Sequence, residues 1–306
     1  MIKKLVSIVL LAGVMMGLTA CSGNNESPSA KESNGKIVVG SKSFTEGNIL
    51  SELYALALEH NGFEVERKFN IAGSVIHQAI LSEEIDVYPE YTGTGLLSIL
   101  KQPVMTDEKE VYDFVKQEYE KQFDLTWLEY SPMNDGQGLV LRTEVAEQYN
   151  IQTISDLQKN ADKIRFASQG DFDERDDGIP ALERVYGPFN FASSVVFEDS
   201  LKYDVLRNNE ADLAVAYTTE GMLRDKAFTL LEDDGKVWPP YNAAPVIRKS
   251  VLEQNPKVEL VLNQLSALLT TEKITELNAQ VDIDKLEMEE VAASFFNEIK
   301  DQVTIE

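Results

Sequence analysis

The chain has 306 residues, 43% hydrophobic and 26% charged, with 52 acidic against 28 basic side chains and a formal charge of −24. That length is long for one compact core and suits two lobes, and the composition is that of a soluble globular protein. So acidic a surface repels nucleic acid and anionic lipid headgroups, whose binding needs clustered Lys and Arg, and otherwise serves solubility.

Lys3 and Lys4 precede an apolar run from Leu5 to Leu18, and Thr19-Ala20 then lead to Cys21, the one cysteine of the chain. A short basic start, an apolar stretch and small residues before a cut read as a secretory signal over residues 1–20. At about 14 residues the run falls short of the roughly 20 that cross a bilayer. Cleavage there removes two lysines and takes the charge from −24 to −26. Leu18-Thr19-Ala20-Cys21 resembles the lipobox of bacterial lipoproteins, which implies a cut before Cys21 and lipidation of its thiol and new amine. The rest of the chain would then work outside the cytoplasmic membrane, held to it by lipid. An ordinary signal peptide with an incidental cysteine, or an uncleaved anchor, is the competing reading. Residues 21–35 lack large apolar side chains and are rich in Ser, Asn, Gly and charge, which marks a flexible linker. Beyond Cys21 there is no thiol, so stability rests on the core without disulfides.

From Lys36 the pattern alternates. Ile37-Val38-Val39-Gly40 reads as a buried strand. Thr45 to His60 reads as a helix, with Ile49, Leu50, Leu53, Leu56 and Ala57 at spacings of three and four, closed by Asn61-Gly62. Phe63 to Phe69 alternates as a strand, Ser74 caps a helix to Ser82, and Ile85 to Tyr88 forms a strand stopped by Pro89. A second series follows. Strands are expected at Gly138–Arg142, Ile164–Ala167, Ser194–Phe197 and Asp212–Tyr217, with helices at Ser155–Asn160, Ile179–Val185 and Ser200–Asn208 between them. Val246-Ile247-Arg248 reads as a return strand. Val251 to Ile299 is mostly helical, with apolar spacing at Val258, Val261, Leu262, Leu265, Leu268 and Leu269.

Repeated βαβ units imply mostly parallel sheets flanked by helices. The expected architecture is α/β with two lobes and two crossovers at a hinge, near 135–138 and 240–243. Residues 36–136 with 243–306 make the first lobe and residues 137–242 the second.

Catalytic signatures are not found. His60 and His77 each stand in a helical pattern without a nucleophile or orienting acid beside them, and fit a surface and a helix-face role. No GxSxG, HExxH, P-loop or GxGxxG-after-strand pattern occurs. Asp171 to Gly178 suggests calcium but fails the EF-hand spacing, because Arg175 occupies a ligand position and the glycine falls late. No metal or cofactor is expected, and a binding protein is favoured over an enzyme.

Open α/β sheets bind ligands at strand ends. Four such places stand out: Ser41 to Asn48, Asp86 to Thr94, Ala216 to Gly221 and Pro239 to Pro245. Three of them carry tyrosine. A quaternary ammonium has no N–H to donate, so acceptors cannot grip it directionally, whereas tyrosine faces attract it by about 0.5–2 kcal/mol per ring. Half-buried packing with a satisfied hydroxyl is the competing role for each tyrosine.

GSKSFTEGNILSELYA, EIDVYPEYTGTG, the acidic segment ending at Gly178, AYTTEG and PPYNAAPV follow one another in this order. Together, from Lys36 to about Glu298, they resemble the substrate-binding proteins of osmoprotectant ABC importers, which take glycine betaine, carnitine or choline. The resemblance implies a type II periplasmic-binding-protein fold that closes on its ligand and hands it to a membrane permease. It places Tyr91, Tyr217 and Tyr241 in a cage round a trimethylammonium, with Asp135 near the cage and Tyr88 packing instead. It assigns Lys42, Thr94 and Arg175 to the ligand carboxylate, where Arg offers a planar fork and Lys a point charge. One departure is evident: Gln137 stands where many relatives have a cage tyrosine, which replaces a π face by an amide. The expected ligand is a carboxylate-bearing quaternary amine. Choline, carnitine, ergothioneine or an amino acid on the same fold are alternatives, and an extracytoplasmic enzyme or sensor module is a more distant one.

Overall fold

A computed structural model describes residues 35–174, 177–198 and 201–305. The signal segment, Cys21, most of the linker and Arg175 lie outside the described residues.

Among the described residues ten strands form two sheets: β1 (Lys36–Lys42), β2 (Glu64–Ile71), β3 (Val87–Tyr91), β4 (Leu125–Trp127), β5 (Gln137–Arg142), β6 (Arg165–Ser168), β7 (Ser193–Val196), β8 (Leu213–Tyr217), β9 (Phe228–Leu230) and β10 (Ala243–Arg248). The first sheet has the order β2-β1-β3-β10-β4 and the second β7-β6-β8-β5-β9. In the first, β10 is antiparallel to both neighbours while the other pairings are parallel. In the second, β5 plays the same part. Each sheet therefore has four strands running one way and a single reversed strand. The reversed strand is in each case the one the chain enters directly from the other sheet. A βαβ step returns a strand in the same direction, whereas a direct crossing has no helix to turn the chain round.

The helix Thr45–His60 buries Ile49, Leu50, Leu53 and Ala57 completely. Each such Leu or Ile contributes roughly 1.5–3 kcal/mol relative to exposure. It ends where Gly62 takes φ 84°, a left-handed conformation that costs glycine nothing. Against it pack Lys257–Ser266, Thr271–Asp282 and Met288–Ile299 from the end of the chain. Val258, Val261, Leu262, Leu265 and Leu269 are buried in this core, and Leu268 is half-buried.

Two local expectations are corrected. Ser74 does not cap a helix. The helix is Ile76–Leu81, and its entry is closed by the N–H groups of Val75 and Ile76 donating to the Ala72 carbonyl. Pro89 does not stop β3 but lies inside it, opposite Pro245 of β10. Two facing prolines fit a position where neither partner calls on the other's N–H. On its other side β3 meets β1 earlier, at Val39 opposite Val87. The short strands β4 and β9 and the helix Glu108–Phe123 complete the sheets and their flanks.

The two passages between the sheets are tied together. Asn134 and Asn242 form an antiparallel bridge. Asn134 Oδ1 accepts from the Tyr241 N–H at 2.6 Å, and the Asp135 N–H donates to the Tyr241 carbonyl at 3.1 Å. Thr218 Oγ1 donates to the Asn134 carbonyl at 2.6 Å and accepts from the Gly136 N–H at 2.9 Å. The backbones carrying Asp135 and Tyr241 are thereby fixed against each other.

Candidate functional site

A cavity of about 340 Å³ opens where the strand ends of the two sheets meet. From the first sheet and the returning passage come Lys42, Tyr91, Thr94 and Tyr241, and from the outgoing passage Asp135 and Gln137. Tyr217, the last residue of β8, closes the far side with Asp177. Seven of the eight ligand residues read from the sequence therefore line one space, and Arg175 is outside the described residues. A neighbouring chamber of about 480 Å³ shares Phe44, Asp135 and Tyr217 with it and adds Glu46, Thr219, Glu220 and Asn278.

Tyr91 is 4% exposed and held on two sides. Its hydroxyl donates to Glu46 Oε1 at 2.7 Å, and the Lys42 ammonium lies 5.1 Å from its ring centroid. Phe44, at the rim, stands 6.2 Å from the same ring. Tyr241 sits against Gly93, just after β3. A Cβ on Gly93 would come within 2.7–2.8 Å of the Tyr241 ring. Tyr217 is 43% exposed, with the Lys202 ammonium 5.9 Å from its ring centroid.

Lys42 is not a bare cation. It is buried and donates to Glu90 Oε1, while Glu90 also accepts from the Tyr91 N–H at 2.8 Å and from the Tyr88 hydroxyl at 3.2 Å. Tyr88 is fully buried, in keeping with a packing role. Gln137, in register opposite Tyr217, turns its amide to Asp177 Oδ2 at 3.0 Å. The Asp177 carbonyl in turn accepts from the Trp238 indole N–H at 2.7 Å. Gln137 thus braces the segment before Gly178 as well as lining the cavity.

Sequence reading missed Glu46, Thr219 and Asn278. Glu46 lies in the first turn of its helix, 3% exposed, and its other oxygen accepts from Asn278 Nδ2 at 2.9 Å. Burial raises its pKa above the usual carboxylate range. Burial, with help from Glu46, pushes Asp135 up to about 8. The signal available was Glu46 itself, a carboxylate in the first turn of a helix directly after a strand end.

Residues 35–298 match the family described as the substrate-binding domain of the ABC-type glycine betaine transport system. The carnitine transport binding protein of Listeria monocytogenes is 29% identical over 300 residues, covering 96% of both chains. A glycine-betaine-binding protein of Pseudomonas aeruginosa is 32% identical over 271 residues, 85% of this chain and 86% of that one. An ergothioneine transport permease/ergothioneine binding protein of Helicobacter pylori is 31% identical over 265 residues, and this chain spans about half (47%) of its length. The crystal structure of a glycine betaine/carnitine/choline ABC transporter protein superposes with a TM-score of 0.82 at 26% identity, over 87% of this chain and 99% of that one.

Proposed function

The chain belongs to the substrate-binding domains of ABC-type glycine betaine transport systems, and from that premise we propose that it captures a carboxylate-bearing quaternary amine and delivers it to a membrane permease. The carrying observation is the cavity itself, where three tyrosines and a lysine from separate strand-end loops line one space. The faces of Tyr91, Tyr217 and Tyr241 surround a trimethylammonium that nothing could hydrogen-bond. Thr94, the remaining donors of Lys42 and Arg175 hold the carboxylate. Residues 36–136 with 243–306 and residues 137–242 are the lobes that close on the ligand. The protein does no covalent chemistry.

Cys21 carries the lipid that keeps the protein on the outer face of the cytoplasmic membrane, and Cys21→Ser releases it from the membrane fraction. Among the described residues no helix is long and apolar enough to cross a membrane. Calorimetry of the domain from Lys36 onward against glycine betaine, carnitine, ergothioneine and choline tests the ligand class. The three carboxylate-bearing ligands bind tighter than choline, and a ligand at about 100 times its Kd stabilises the fold by roughly 2.7 kcal/mol. Equal affinity for choline removes the carboxylate from the reading, and no binding of any of the four overturns it.

A further inference from the structure

A further tie between the two sheets lies in the segment that follows Tyr217. The helix Thr271–Asp282 belongs to the first core, where its Ile274 and Leu277 are buried. Residues 219–224, just beyond β8, lie against it. Asn278 of that helix, 5% exposed, uses both amide hydrogens there: Nδ2 donates to the Thr219 carbonyl and to Glu46 Oε2, each at 2.9 Å. Glu46 accepts the Tyr91 hydroxyl through its other oxygen at 2.7 Å. A single chain of hydrogen bonds, Tyr91 to Glu46 to Asn278 to Thr219, therefore runs from one cavity tyrosine to a residue two positions from another.

Gly221 lets the segment come so near. It is buried, and a Cβ there would lie 2.6 Å from Ala279 Cα, 2.7 Å from Ala279 N and 3.0 Å from the Asn278 carbonyl carbon. These are backbone atoms of a packed helix and cannot swing aside as a side-chain tip can. The φ of Gly221 is not positive, so alanine suits its own backbone and only the helix excludes it. At the outer edge Arg224 grips Asp284 with both terminal guanidinium nitrogens, at 2.7 and 2.9 Å. The Glu220 N–H donates to the Tyr217 carbonyl at 3.1 Å, so a tight turn couples Gly221 to the tyrosine.

We propose that Gly221 is a positioning residue of the cation cage: its contact with Ala279, with Asn278 as the inner cross-tie and Arg224–Asp284 as the outer one, sets how near the Tyr217 ring stands to Tyr91. The inference rests on the functional reading above, in which those rings face a trimethylammonium. The attraction of a ring for a cation is confined to about 6 Å from the centroid. A wall held further out keeps its ring but loses the ligand. Gly221 itself lines neither the cavity nor the chamber beside it, so its effect on binding passes through the wall that it seats.

Calorimetry with the full-length protein in detergent, and with glycine betaine, carnitine, ergothioneine and choline as probes, tests this. Gly221→Ala should weaken whichever probe binds the parent by about two- to thirtyfold, no more than Tyr217→Ala does. In the Tyr217→Ala background the same substitution should weaken binding no further. Arg224→Glu, at the surface, sets like charges against each other and should weaken binding about two- to fivefold. Adding Asp284→Arg should restore it, and this pair decides the matter if Gly221→Ala does not fold. Gly221→Ala that binds like the parent, or losses equally large with and without Tyr217, overturn the positioning role and leave the ligand reading standing. A parent that binds none of the four probes overturns the functional reading and the positioning role together.

Discussion

The two lobes carry the same three-part cluster under different conditions. In the first, Lys42 bonds Glu90 beneath the Tyr91 ring while the Tyr88 hydroxyl donates to the same carboxylate. In the second, Lys202 donates to Glu220 at 2.6 Å between the rings of Tyr203 and Tyr217, and the Tyr203 hydroxyl donates to that carboxylate. Both lysine side chains are 8% exposed, but Glu90 is 1% exposed and Glu220 21%. Tyr91 is buried where Tyr217 is 43% exposed. One wall of the cavity is therefore set before any ligand arrives, and the other still has a ring face in water. Burying a charge pair makes it unforgiving of the loss of one partner, whereas a partly wet pair lets solvent take over.

The sharpest way to break the comparison is to remove the carboxylate from each cluster. Glu90→Ala leaves an ammonium and a tyrosine hydroxyl in the core, and should cost about 3–5 kcal/mol in denaturant unfolding. Glu220→Ala opens its lysine to water and should cost about 1.5–3 kcal/mol, the range for hydrogen bonds to charged groups. Equal losses would mean that burial does not separate the two walls.

A second difference is in proton content. Asp135 is pushed up to about 8 by burial and by Glu46, against roughly 3.9 for an unfolded aspartate. Between those values the folded state binds more protons than the unfolded one. Stability in the absence of ligand should therefore fall as pH rises through this window, by up to about 1.4 kcal/mol per pH unit, and level off above it. Asp135→Asn should flatten the profile. Asp212, in the second lobe, behaves oppositely: burial would raise it, but hydrogen bonds from Arg165 hold it low. Its contribution is present above the unfolded aspartate value and is lost as pH falls into the acid range. A parent whose stability is flat from pH 5 to 8 contradicts the assignment to Asp135.

What was legible in the sequence follows the range of the interactions. The helix Thr45–His60 was readable to its end residues because its apolar spacing and its closing Asn61-Gly62 are local signals. Glu108–Phe123 was not read from the sequence, although Val111, Tyr112, Val115 and Tyr119 recur on one buried face. The three-residue strands β4 and β9 were not, because neighbours rather than their own pattern make them strands. Strand-end tyrosines could be picked out because open sheets bind ligands there. The pairing of Lys42 with Glu90 joins residues 48 apart, and the bonds round Glu46 run through Tyr91 and through Asn278 to Thr219 and Asp135, so neither set of partners can be read within one sequence window.

Smaller effects test the wet wall. Tyr217→Ala should weaken a trimethylammonium ligand by about 0.5–2 kcal/mol with little change in unfolding free energy, since its ring is half in water. Tyr217→Phe should keep most of the affinity, because the attraction comes from the ring face. A Phe variant as weak as Ala would transfer the contribution from the ring to the hydroxyl.

The smallest expected effect probes how rigid the preset wall is. An alanine at Gly93 would press its Cβ on the Tyr241 ring at 2.7–2.8 Å. The ring cannot retreat by moving its backbone, which Asn134 and Asp135 hold by hydrogen bonds of 2.6 and 3.1 Å. It has to turn by more than half an ångström to reach ordinary contact, away from the place where it meets the ligand. Gly93→Ala should therefore lower affinity by less than tenfold, below about 1.4 kcal/mol, and leave the unfolding midpoint nearly unchanged. In Tyr241→Ala the added methyl has nothing to press on, so the double variant should bind no worse than Tyr241→Ala alone. Additive losses in that cycle would mean that Gly93 acts through something other than the ring, and the wall formed by Tyr91 and Tyr241 would then be softer than its hydrogen bonds imply.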